Sequence, residues 1–149
     1  LPSPAHHVVM IHYPIYFEHV DEPTYDPTCR EEFVPWFFNI NQEPRWRILE
    51  KLKEARVDWL ITGHLHVRRP VEMVEDLAFL RIPAAGGRPQ YEDRWSDGNA
   101  TLGFYRFEVN DERIIPTFVP LEEVSDAQGY GPGGHPPASL RDYSLAWET

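Results

Sequence analysis

Two short apolar runs, with one amphipathic segment between them, constrain this chain more than any other feature. His7–His12 (HVVMIH) is rich in β-branched residues and is stopped by Pro14. Asp58–Thr62 (DWLIT) is a second run of the same kind. Apolar residues on both faces of so short a run read as a buried strand of a parallel sheet. Between the runs, residues 42–56 place Ile48, Leu49, Leu52 and Ala55 on one helical face, with Glu50, Lys51, Lys53 and Glu54 on the wet side. Asn41 stands at the N-cap position, and Pro44 lies in the first turn, where a missing N–H costs little. Strand, helix and strand in that order predict a right-handed βαβ crossover.

The connection at 13–41 is long. Eight of its residues are aromatic (Tyr13, Tyr16, Phe17, Tyr25, Phe33, Trp36, Phe37 and Phe38) and six are acidic. Loops of this length inside a domain are functional or disordered, and the aromatic content argues against disorder. A short helix is expected over Arg30–Phe38. Past residue 70 the pattern changes to strands at Val71–Glu75, Ala78–Pro83, Leu102–Val109 and Arg113–Val119, with hairpin connections at Asp76-Leu77 and Asn110-Asp111-Glu112. The segment 84–100 reads as a polar loop, and 122–149 as a Gly/Pro-rich tail packing on a body formed by 1–121.

Composition excludes several classes. A formal net charge of −10 argues against a surface for duplex nucleic acid, which needs clustered Lys and Arg. The single cysteine, Cys29, cannot form an internal disulfide. No run of 18 apolar residues is present, so no spanning helix and no membrane partner are expected. Fifteen prolines, about twice the usual share, imply turns and extended loops rather than a helical bundle. Leu1–Ala5 (LPSPA) leads almost directly into the first strand and reads as a connection within a larger protein.

Three of the seven histidines stand directly after a predicted strand: His12 after the first, His64 and His66 after the second. In open α/β sheets that edge is where ligands bind. Neutral imidazole is the commonest metal ligand, and imidazole with carboxylate suits a divalent zinc, iron or manganese ion. One residue separates His64 from His66, which in an extended segment puts both rings on one side. His6 and His7, at the opposite strand end, read as structural or exposed, and His135 as a loop histidine. His19 lies in the aromatic connection, within reach of a substrate. Arg88 follows a strand in Gly86-Gly87-Arg88 and suits phosphate bidentately, although a glycine pair also reads as a simple turn.

His12-Tyr13-Pro14 after one strand, followed by Ile61-Thr62-Gly63-His64-Leu65-His66 after the next, resembles the last two sequence blocks of the calcineurin-like metallophosphoesterases. The similarity spans roughly 6–120, and its motifs lie at 12–14 and 61–66. The resemblance implies an α/β fold, here part of a four-layer α-β-β-α sandwich with mixed sheets. It implies two divalent metal ions (Mn, Fe or Zn), with His12 and His64 on one and His66 on the other. The implied reaction is hydrolysis of a small-molecule phosphoester, in which the ions clamp phosphate oxygens and activate water. Tyr13, His19 and Arg88 are then candidates for contact with substrate, and the connection at 13–41 matches the variable loop that overhangs the metals.

The earlier blocks of that family, Asp-x-His, Gly-Asp-x-x-Asp and Gly-Asn-His-Asp/Glu, do not occur in this chain. Three imidazoles cannot hold two adjacent divalent ions without a bridging anion and carboxylates. The expectation is therefore a C-terminal half that is inactive without an N-terminal half supplying the remaining ligands. Two other readings fit the residues: a mononuclear zinc hydrolase with an open fourth position, and a non-catalytic binding module on the same fold.

Overall fold

The computed structural model describes residues 5–85 and 101–122. Both apolar runs are strands, β1 (Val8–Ile11) and β2 (Trp59–Thr62), and they pair in parallel with Ile11 opposite Thr62. Parallel neighbours need a crossover, and two helices supply it: α1 (Arg30–Phe37) and α2 (Gln42–Glu54). Strands β3 (Glu72–Val74) and β4 (Leu77–Arg81) form a hairpin, and β4 also pairs in parallel with β2. The sheet order is β1-β2-β4-β3. Strands β5 (Gly103–Val109) and β6 (Ile114–Pro120) make a separate antiparallel pair. The chain is thus mixed α/β with one sheet of mixed orientation.

Ile61, Ala78 and Leu80 are buried on one face of β2 and β4, and the larger apolar cluster lies on the other face of the sheet. Leu60, Leu77 and Phe79 are buried there against Val57 and against Ile48, Leu49 and Leu52 of α2. Ile15 and Tyr16, from the connection after β1, complete this layer. Fully burying side chains of this size contributes roughly 1.5–3 kcal/mol each. A second cluster, Phe17, Phe38, Leu65 and Val67, packs near the C-terminal strand ends.

Several local expectations shift. The first strand was expected to be buried on both faces; it is instead an edge strand, and Val8 and Met10 are 41% and 68% exposed. Asn41 occupies the N-cap position of α2 without a side-chain bond, and Gln42 N–H donates instead to Thr24 Oγ1 at 3.2 Å. Ala55 caps α2 as an exposed residue instead of joining its apolar face. The turn of the β3–β4 hairpin is Glu75-Asp76, one residue earlier than expected, because Leu77 is buried as the first residue of β4.

The β5–β6 hairpin turns where expected. Asn110 Oδ1 accepts from Glu112 and Arg113 N–H, and Asn110 N–H donates to the Arg113 carbonyl. Gly103 is required there: a Cβ would lie 2.5 Å from the Val119 carbonyl oxygen. Phe104 is solvent-exposed, whereas Tyr105, Phe107 and Phe118 form a ring cluster on the other side. The hairpin meets the main sheet at both ends. Gly103 N–H donates to the Ala84 carbonyl just past β4, and the His6 ring contacts the Asn110 carbonyl at 2.6 Å beside β1. The predicted loop around Arg88 and the tail from 123 onward lie outside the described residues.

Candidate metal centre

The ends of β1 and β2 are tied by a backbone bond from Gly63 N–H to the His12 carbonyl, at 3.1 Å. This bond carries the parallel register one step past the strands, so the residue after Gly63 arrives beside His12. His12 Nε2 and His64 Nδ1 stand 3.1 Å apart, with ring centroids at 5.0 Å and an interplanar angle of 77°. Without a metal, one ring donates a hydrogen bond and the other accepts it. The distance also fits two ligands of one ion. Nitrogens about 2.0–2.1 Å from a common ion stand roughly 3.3 Å apart at a tetrahedral angle and roughly 2.9 Å apart at a right angle.

His64 is held in an unusual backbone. Leu65 N–H donates to the Gly63 carbonyl at 2.8 Å, closing a three-residue γ-turn about His64, whose φ is 69°. This is the rare, strained hand of that turn. His66 is also left-handed, with φ of 58°. The segment is therefore not extended, and the strand argument that put both imidazoles on one side does not hold. The cause is Leu65, which is drawn into the buried cluster with Phe17, Phe38 and Val67 and curls the chain on either side of itself.

Aromatic rings surround His64. Tyr13 stacks on it at 4.3 Å and 29°, and Phe37 and Phe38 lie at 5.3 and 5.4 Å. Burial among these rings, and next the positive charge that His12 can carry, push the His64 pKa below its ordinary value. The effect favours the neutral ring, the form that binds metal. Its Nε2 atom is buried without a hydrogen-bond partner; the Phe37 backbone is near enough to favour the protonated ring but does not meet hydrogen-bond geometry. Burial also raises the Tyr13 phenol.

Of the residues singled out in the sequence, His12, His64 and Tyr13 come together. His66 is close enough for its charge to lower the His64 pKa. Among the described residues, however, no three His, Cys, Asp or Glu side chains form a metal-binding group. His19 is exposed, and its backbone N–H donates to Glu22. Arg88 lies outside the described residues. His6 and His7 bond to backbone carbonyls of Asn110 and Ala55, far from the His12–His64 end of the strands.

The residues that position the connection after β1 were not expected from sequence. Buried Glu22 accepts from three successive backbone N–H groups, those of Phe17, Glu18 and His19. Buried Arg45 of α2 donates to the carbonyls of Val20, Glu22 and Ile40. Buried Arg81 of β4 donates to the Phe17 carbonyl and to Glu72, whose other oxygen accepts the Tyr16 hydroxyl at 2.6 Å. Residues 15–22 are thus fixed structure and not a free lid.

Comparisons with protein-family models, with curated proteins and with solved structures found no match to this chain.

Proposed function

We propose that His12 Nε2 and His64 Nδ1 ligate one divalent metal ion, and that the chain is part of a metal-dependent phosphoesterase acting on a small-molecule phosphoester. The observation that carries this reading is their 3.1 Å separation at two adjacent parallel strand ends. The strained turn at His64 supports it, since backbone strain of this kind concentrates at functional sites. The desolvated, neutral His64 ring supports it as well. A divalent ion in such a place neutralises phosphate charge and activates water.

Two imidazoles do not complete a coordination sphere. In this reading the bridging carboxylate and the ligands of a second ion, to which His66 also contributes, come from polypeptide outside the described residues. The chain by itself is then inactive. What supports the sandwich part of the proposal is that the hairpin is bonded to the main sheet's flanks at Ala84 and His6. Facing sheets pack about 10 Å apart.

The test is hydrolysis of p-nitrophenyl phosphate and of its bis-ester by the full gene product, in Mn²⁺ or Zn²⁺. Turnover that falls to background in His64→Ala and in His12→Ala is the expected result. Turnover equal to wild type in either variant refutes the assignment.

A further inference from the structure

Phe37 is the last residue of α1, beside the proposed centre, and is 40% exposed. Its position is fixed despite that exposure. Phe33 stacks against it at 6.0 Å and 19°, and Phe38 meets it edge-on at 5.1 Å and 81°. Its own ring lies 5.3 Å from that of His64. Buried Pro35 and Phe38 hold the end of the helix in place. An aromatic ring that is already ordered, and still presents surface to solvent, offers stacking with little further entropy to lose. Tyr13 occupies a face of His64, and Phe37 presents exposed aromatic surface beside the same ring.

We infer that Phe37 is a specificity-determining residue: it forms one wall of a subsite for a planar aromatic group, so that the phosphoester taken is one that carries an aryl substituent. This rests on the reading of His12 and His64 as metal ligands. An alkyl ester gains only the burial of its small apolar area, whereas an aryl group adds a stacking contact with a fixed partner.

The test uses binding and does not depend on turnover. Phenylphosphonate and methylphosphonate, two non-hydrolysable anions with the same head group, are titrated into the Zn²⁺-loaded full gene product by calorimetry. Phenylphosphonate is expected to bind about 3- to 10-fold more tightly. Phe37→Ala should bring the two within twofold of each other, and Phe37→Tyr should retain the preference. Equal affinities in the wild-type chain, or a preference that survives Phe37→Ala, overturn the inference and leave the metal reading standing. If neither phosphonate binds in a metal-dependent way, the metal reading fails and this inference fails with it.

Discussion

His64 occupies a backbone conformation that carries a penalty of order 1–3 kcal/mol in a residue with a Cβ. It persists because Leu65 is buried on one side and the Gly63–His12 bond holds the other. What this achieves is the approach of Nδ1 to His12 Nε2. If both atoms face one ion, removing either should weaken Zn²⁺ binding by at least about 10-fold. The double variant His12→Ala/His64→Ala should lose less than the sum of the two, because the ligands act as a unit. Calorimetric titration of the four proteins measures this directly. Tyr16 makes a different prediction. Burial, and next its hydrogen bond to Glu72, raise the phenol above its ordinary 10.0. The folded protein therefore keeps a proton that the unfolded chain releases. This contribution to stability is complete below pH 10 and is lost as pH rises above it. Urea midpoints measured from pH 9 to 11 should fall more steeply in wild type than in Tyr16→Phe; parallel slopes would contradict the assignment.

At the scale of elements, the connection between β1 and α1 is held by buried charges. Arg45 is wholly buried, and its guanidinium donates to three backbone carbonyls, those of Val20, Glu22 and Ile40. Arg45→Met keeps much of the volume and leaves those acceptors bare. It should cost roughly 2–4 kcal/mol, read as a lower urea midpoint with helical circular dichroism retained before the transition. A loss below about 0.5 kcal/mol would mean that the connection is not fixed by this residue. This element divides what was legible in the sequence from what was not. The strands and α2 announced themselves through β-branched runs and a helical spacing, because burial of one face imposes a period. The strand-end positions of His12 and His64 followed from those runs. The roles of Glu22, Arg45, Arg81 and Glu72 did not, since a buried ion looks like a solvated one until its partners from distant segments are known. The turn at His64 was equally silent, because its cause is the burial of the neighbouring Leu65.

For the whole molecule, the four-stranded sheet has α2 packed on one face, and the hairpin is tied to it through bonds at Ala84 and His6. β1 remains a partly exposed edge, with Val8 and Met10 in solvent. The apolar pattern of β1 misled because it predicts cover on both faces, whereas the described residues leave Val8 and Met10 uncovered. Met10→Asp should change the stability of this chain by no more than about 0.5 kcal/mol in urea denaturation. Should the proposed second half dock at β1, the same substitution lowers the thermal midpoint of the full gene product, and an unchanged midpoint argues for docking elsewhere. The central claim concerns two nitrogens and one ion, and long-range ¹H–¹⁵N spectra of the histidine rings during Zn²⁺ titration address it most directly. The account predicts that His12 is metallated at Nε2 and His64 at Nδ1, with His6, His7 and His19 unmoved. Metal bound to His64 through Nε2, or His12 and His64 shifts that do not respond to the ion, would contradict it.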